Sequence, residues 1–458
     1  MTGTPAATLL HLGPGLGNGW ANLHNARKAR SGLVNIVGEH AITHLPFESP
    51  LKSDLDGVAG SVSHWVRRSQ RAADVGVDGA AAVAATRDGD VGRIATLVLP
   101  ADTAWGAGGQ VGRAAPVAAL PEVSTAAVDA AARTLQSLGE RAVLLLGAAG
   151  ARDEASQRWA AGIAARTGCR VLAEFYNARM AGGRGRPRIA RLAYAVDAAA
   201  AQLDGAQALV LAGSVEPIAF FAYPGKPSQL KPAGAALLTL ATPRDDVPGA
   251  LQALAEALGA RPAPLSMAPD LGPPTGPLTP ETIAAAIAFT LPEQAIVVDE
   301  AVTTGRGFGA SMSAATPHDW LQGMGGAIGY GLPCAVGASL AAPGRPVLAL
   351  EGDGSAMYTL QALWTMAREA LPVVVLVFAN RAYRILQGEL KGVGASISGQ
   401  KATDMLSLDR PALDWVALAR GHGVPGTCVQ DTEALVTALQ RAYARGASGG
   451  PALIEVLL

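Results

Sequence analysis

Residues Val347–Tyr383 read VLALEGDGSAMYTLQALWTMAREALPVVVLVFANRAY. The first run, Val347–Leu350, is short, continuous and apolar, the pattern of a strand buried on both faces. It leads into Gly352-Asp353-Gly354-Ser355, after which Met357, Leu360, Leu363/Trp364 and Ala367 recur at helical spacing. Pro372 then opens a second apolar run that ends at Asn380. Strand, helix and strand form a βαβ unit, and its right-handed crossover leaves the two strands parallel. Asp353 and Asn380, 27 positions apart, are therefore expected together at the carboxyl ends of the strands, where open α/β sheets bind ligands.

The same alternation extends in both directions. Upstream, Ala295–Val298 is a further strand of this unit. Ala142–Leu146, Val171–Phe175 and Ala208–Ala212 repeat the pattern around a helical stretch from Arg152 to Thr167. Near the start, Ala7–Leu12 and Leu33–Val37 flank a helical stretch, Asn18–Arg30. Two breaks separate these blocks. Residues 262–280 hold 7 of the 30 prolines and read as an extended linker, ending where Thr279-Pro280-Glu281 starts a helix. Residues 101–122 are rich in Gly, Ala and Pro and lose all periodicity. The chain thus divides into 1–105, 123–261 and 279–458, three doubly wound α/β domains with parallel sheets. The length of 458 residues agrees, at roughly 150 residues per domain.

Composition narrows the class. With 36 Lys and Arg against 37 Asp and Glu, the net charge is −1 and charged residues are 16% of the chain. That excludes an electrostatic binder of nucleic acid and a disordered tail. The apolar run 370–379 is interrupted by Pro372 and is far shorter than the roughly twenty residues of a bilayer span. Cys169, Cys334 and Cys428 form no CxxC or Cys/His pattern, so they read as buried or inert thiols of a reducing, cytoplasmic compartment.

The chemistry concentrates at the quoted stretch. Mg²⁺ prefers hard oxygen ligands, taking one or two from the protein and the rest from phosphate and water. Asp353 offers a carboxylate, Asn380 an amide carbonyl, and the backbone after Asn380 a third oxygen. Gly352 and Gly354 let the backbone approach a diphosphate, and Ser355 opens a helix whose N–H groups favour an anion. An isolated GDG is usually a plain strand-to-helix turn; strand, GDGS, helix, strand and Asn in this order point to a metal–diphosphate site.

On these residues the chain resembles the thiamine-diphosphate-dependent enzymes of the acetolactate synthase and benzoylformate decarboxylase type. Two further segments carry the resemblance: Met324-Gly325-Gly326-Ala327-Ile328-Gly329-Tyr330-Gly331-Leu332-Pro333, and the GPGxxN stretch from His11 to Asn18. The resemblance implies a first domain that binds the pyrimidine, a Rossmann-like central domain and a third domain that binds the diphosphate. It assigns Asp353, Asn380 and the Ala382 carbonyl to Mg²⁺, and Gly352, Gly354, Ser355, the Tyr383 backbone and Thr303 or Thr304 to the diphosphate. Gly326 would meet the aminopyrimidine through its carbonyl, Ile328 would prop the cofactor in a bent shape, Asn18 would lie on the cofactor loop, and His11 matches a catalytic histidine of the decarboxylases. The implied reaction is decarboxylation of a small 2-oxo acid through an enamine, releasing an aldehyde or an acyloin. The implied assembly is a homodimer or homotetramer.

Three departures qualify the resemblance. The glutamate that activates the pyrimidine in the family lies upstream of the strand preceding the GPG stretch and has no counterpart here. About sixty residues of the first domain are expected to be missing. Ala379 stands where many members have the first of two asparagines, and 384–390 lacks the Trp-rich stretch of biosynthetic acetolactate synthases. These favour a decarboxylase/carboligase over acetolactate synthase proper, and leave a cofactor-binding chain of little activity as an alternative. A nicotinamide or flavin oxidoreductase would use Gly147–Gly150 or Gly13–Gly17, neither a complete GxGxxG followed by an acidic residue. Of the remaining polar residues, His24 reads as a helix-face residue, Asp299-Glu300 as half-exposed acids at a strand end, and the basic run Arg179–Arg191 as a solvated loop.

Overall fold

The computed structural model describes residues 1–265, 271–395, 399–447 and 449–458. Among these residues, three sheets account for the three segments. The first has four parallel strands in the order Ala6–His11, Leu33–Glu39, Ile94–Pro100 and Trp65–Arg68. Ala6–His11 is its edge strand, and Leu9 there is 79% exposed. The central sheet runs Ala190–Arg191, Arg170–Ala173, Ala142–Leu146, Ala208–Ala212, Ala236–Ala241, all parallel.

The third sheet has seven strands: Gly426–Val429, Ala452–Leu457, Val373–Ala379, Val347–Gly352, Ile296–Glu300, His318–Gln322 and Arg179–Gly182. Val373–Ala379 is buried at every position, because helices cover both faces of a parallel sheet. From Ile296–Glu300 the chain goes first to one side, to His318–Gln322, and then to the other, to Val347–Gly352. This reversal opens a crevice at the carboxyl ends of those two strands.

The seventh strand corrects the reading of 179–191. Arg179–Gly182 leaves the central domain and pairs antiparallel with His318–Gln322. Three of the arginines in 179–191 are fixed rather than solvated: Arg179 donates to both Asp319 carboxylate oxygens at 2.8 and 3.2 Å, Arg186 to Glu154 at 2.9 Å, and Arg191 to Gln322 at 2.8 Å, while Arg188 is exposed. Burial alone would raise the Asp319 carboxyl, but hydrogen bonds from Arg179 and Arg345 hold it below the usual carboxylate range. Arg179→Ala should therefore cost about 2–3 kcal/mol in a urea melt, because Asp319 keeps its burial and loses half its partners.

Other departures are local. The linker keeps its extended form at the ends, where Leu271 and Leu278 pack on the third-domain core; its residues 266–270 lie outside the described set. Cys169 is buried but Cys428 is exposed. Among the described residues no helix is long and apolar enough to cross a membrane.

Candidate active site at the third-domain crevice

Gly352 pairs with Phe378 across the parallel ladder, so Asp353 and Asn380 do leave adjacent strands together. Asp353 is 3% exposed. Its carboxylate accepts from Gly354 N at 2.9 Å and from Arg381 N at 2.7 Å, which ties it to the loop after Asn380. Arg381 has φ +53°, and the Asn380 side-chain oxygen accepts from Ala382 N at 3.0 Å. These contacts curl residues 380–382 toward Asp353. Burial raises the Asp353 carboxyl above its ordinary value, and only backbone N–H groups donate to it.

The other residues of the loop are tightly placed. The Ala382 carbonyl accepts from Arg384 N at 2.9 Å and keeps a second lone pair. Tyr383 lays its ring on Gly354, where an added Cβ would come within 2.6 Å of it. Ser355 is buried. The helix expected from Met357 to Ala367 is interrupted. It forms as Asp353–Ala356 and Ala362–Arg368, leaving Met357 and Trp364 exposed. Between the two pieces, Thr359 donates to the Gly329 carbonyl at 3.1 Å and Tyr358 packs on Gly329, so contact with the glycine segment replaces helical bonds.

That segment lies against two acids. Glu300 accepts from Gly329 N at 2.6 Å and from Gly331 N at 2.7 Å. Glu351 pairs with Glu300 across the ladder, and no ordinary donor reaches its buried oxygens. A proton on Glu351, donated to Glu300, satisfies both groups; burial holds Glu300 up to about 7 and Glu351 well above its ordinary value. Asp299 and Glu300 are thus buried within the strand rather than half-exposed, and Asp299 accepts from the Trp320 indole at 3.2 Å. The signal missed was the register: two carboxylates one strand apart, each ending an apolar run.

Gly326 holds φ +74°, and Ile328 beside it is 36% exposed. Thr304 is buried in the short turn Thr304–Gly307, with Thr303 just before it. The first domain contributes differently from expectation. His11-Leu12-Gly13-Pro14-Gly15 is not a loop: the helix Leu12–Lys28 starts at once, entered through a left-handed Leu12. Gly13 leaves room there for Ser53, whose hydroxyl a Cβ would meet at 1.8 Å and would have to displace. His11 and Asn18 are exposed, and the chain brings other residues of this helix to the glycine segment. Asn25 donates to the Ala327 carbonyl at 2.8 Å and accepts from Ala327 N at 3.2 Å. Asn22 reaches the Gly329 carbonyl at 3.1 Å, and His24 the Gly325 carbonyl at 3.2 Å. His24 is therefore a contact between domains, not merely a helix-face residue.

No group of three or more His, Cys, Asp or Glu converges on a metal position among the described residues. One carboxylate, one amide and one carbonyl suit a cation that also binds phosphate, and the buried Asp353 carboxylate, without a charged donor, fits such a cation. A cavity of about 100 Å³ lies elsewhere, at the junction of the three domains, lined by Arg30, Arg152, Glu174 and Met324 among others.

Comparison with known proteins agrees with this geometry. The family of thiamine pyrophosphate enzymes, C-terminal TPP-binding domain, matches residues 301–456. The chain is 49% identical to the "Putative acetolactate synthase large subunit IlvX" of Mycobacterium tuberculosis, over 100% of its own length and 87% of that protein. It is 37% identical to the benzoylformate decarboxylase of Pseudomonas aeruginosa, over 46% of this chain and 39% of that one. Among solved structures, the thiamine-diphosphate-dependent 4-hydroxybenzoylformate decarboxylase of Rhodococcus jostii superposes with a TM-score of 0.79 at 25% identity, covering 98% of this chain and 87% of its own. The three sheets, the crevice at Asp353 and these likenesses converge: the chain belongs to the thiamine-diphosphate-dependent enzymes of the acetolactate synthase and benzoylformate decarboxylase type.

Proposed function

We propose that the chain is a thiamine-diphosphate- and Mg²⁺-dependent 2-oxo acid decarboxylase/carboligase, releasing an aldehyde or an acyloin. The supporting observation is the buried Asp353 carboxylate, held beside Asn380 by backbone donors alone. Asp353, Asn380 and the Ala382 carbonyl would hold the metal. Gly352, Gly354, Ser355, the Tyr383 backbone, Thr303 and Thr304 would hold the diphosphate. When bound, thiamine diphosphate supplies a nucleophilic thiazolium carbon and an electron sink for the departing CO₂. The Gly326 carbonyl would accept from the aminopyrimidine, while Ile328 would fill the bend of the cofactor. A homodimer or homotetramer would carry His11 and Asn18 of one copy toward the third domain of another, with His11 moving protons at the substrate. We place this activity in the cytoplasm.

The test is a thermal melt with and without thiamine diphosphate plus Mg²⁺. A ligand at about a hundred times its Kd stabilises by about 2.7 kcal/mol, so a rise of several degrees is expected. An unchanged melting temperature overturns the reading, and products from a panel of 2-oxo acids then separate decarboxylation from formation of acetolactate.

A further inference from the structure

The cavity of about 100 Å³ at the junction of the three domains lies at the crevice of the central sheet. From Ala142–Leu146 the chain crosses to Arg170–Ala173 on one side and later to Ala208–Ala212 on the other. Such a reversal is where an open α/β sheet takes a ligand, beyond the carboxyl ends of its strands. Ala148 and Glu174 line the cavity just past two of those ends. The first domain adds Arg30 and Val91, and the third adds Met324, at the head of the glycine segment.

Two opposite charges face this space without meeting. Among the described residues the Arg30 guanidinium has no hydrogen bond and no ion pair. Its backbone is left-handed at φ +54°, and Gly92 N donates to its carbonyl at 2.9 Å. Glycine or asparagine would hold that turn at less cost, so the turn alone does not call for arginine. Glu174 accepts from Val215 N at 2.8 Å through Oε1, and among the described residues its Oε2 has no donor. Desolvation lifts its carboxyl from 4.5 to about 7, against the smaller opposing effects of the Val215 N–H and the Arg30 charge. Beside it, Asn177 is 4% exposed and donates through Nδ2 to the Glu174 carbonyl at 2.6 Å. That bond fixes the amide's orientation and leaves its buried Oδ1 without a donor. The arginines Arg152 and Arg179 in the wall are already engaged. Arg152 donates to Asp153 at 2.8 and 3.0 Å and lies 3.7 Å from Asp90, and Arg179 is held by Asp319.

We propose that this cavity binds a small α-amino acid, of the size of glycine or alanine, with its carboxylate on Arg30 and its ammonium on Glu174 and Asn177. One zwitterion supplies the acceptor that Arg30 lacks and the donors that Glu174 Oε2 and Asn177 Oδ1 lack. Size limits the side chain. A cavity of about 150 Å³ holds benzene, so one of about 100 Å³ suits a ligand of no more than about six heavy atoms, as in alanine. Val91, Pro243 and Met324 offer apolar wall to a methyl group. A nucleotide exceeds this volume, and its phosphates would meet a carboxylate: a Cβ on Gly147, at the turn they would approach, would lie 2.6 Å from Glu174 Oε2. The site is separate from Asp353 and does not depend on the reaction proposed above.

The test uses the full chain, with thiamine diphosphate and Mg²⁺ in every sample so that the third-domain crevice contributes equally. Binding is read by calorimetric titration and by thermal melts at about pH 8, above the value at which Glu174 titrates. Glycine and L-alanine should bind and raise the melting temperature, because the ligand joins residues of two domains. L-Alaninamide lacks the carboxylate and N-acetyl-L-alanine lacks the ammonium, and each should bind at least roughly tenfold more weakly. Glu174→Gln keeps an acceptor for Val215 N and removes the charge, and should weaken L-alanine at least roughly tenfold. Arg30→Gln should do the same, and serves as the second variant should Glu174→Gln not fold. The proposal is overturned if glycine and L-alanine give neither heat nor a higher melting temperature at millimolar concentration. Equal binding of either blocked analogue, tighter binding of inorganic phosphate or adenosine diphosphate, or an affinity for L-alanine unchanged in both variants overturns it as well.

Discussion

Asp353→Asn is expected to abolish the thermal response to thiamine diphosphate and Mg²⁺ while leaving the ligand-free protein close to its original stability. In the ligand-free chain two opposing effects operate. The substitution removes a charge that burial disfavours, and it also loses one of two accepted hydrogen bonds, because the amide –NH₂ must face either Gly354 N or Arg381 N. Each effect is about 1–3 kcal/mol, so they largely cancel. A metal held there, in contrast, would lose its one carboxylate, since Asn380 and Ala382 offer only neutral oxygens. Affinity for the metal–diphosphate pair should fall at least roughly a hundredfold, removing about 2.7 kcal/mol of ligand stabilisation, with kcat/KM falling in step. A variant that melts like the parent and still responds fully to the cofactor would remove Asp353 from the metal site.

The second large effect concerns Glu351→Gln, measured on the ligand-free protein across pH. In the folded chain burial raises Glu300 from 4.5 to about 7 and holds Glu351 well above its ordinary value. A carboxyl raised on folding contributes stability that is complete below its unfolded value and is lost as pH rises through its folded value. The parent should therefore weaken between about pH 4.5 and pH 8, by on the order of 3 kcal/mol for a shift of this size. Glutamine at 351 supplies a permanent donor to Glu300 and cannot become a second buried anion. The variant should exceed the parent by about 1–3 kcal/mol at pH 8, and the difference should close toward pH 5. Denaturant melts at several pH values check this; a constant difference across the range would falsify the shared proton.

The strands that could be read from sequence are those whose environment is uniform. Ala142–Leu146, Ala208–Ala212 and Val373–Ala379 are apolar at every position because both faces are covered, and they fall where the runs do. The meeting of Asp353 with the Asn380 loop was equally legible, since a right-handed βαβ unit leaves little freedom in where its strand ends lie. Arg179–Gly182 was not, because its place comes from long-range pairing and from Asp319, 140 positions away, rather than from its own polar sequence. Glu351 was hidden as a single acid at the end of an apolar run, where only strand register shows what faces it. The entry of the helix at Leu12 was missed because three glycines and a proline argue for a loop until Ser53 is seen to need the space. In each case the decisive partner is distant in sequence.

The strand Arg179–Gly182 has a consequence for how the chain behaves as an object. The central and third domains are joined covalently once, through 262–280, and a second time by a ladder laid edge to edge. A protease cutting the proline-rich connection would produce two fragments that stay together, because the first fragment still supplies the outermost strand of the second fragment's sheet. Hinge rotation between the two domains would have to strip that ladder, so they should move and melt as one cooperative body. The central domain then keeps a constant distance from the third-domain crevice.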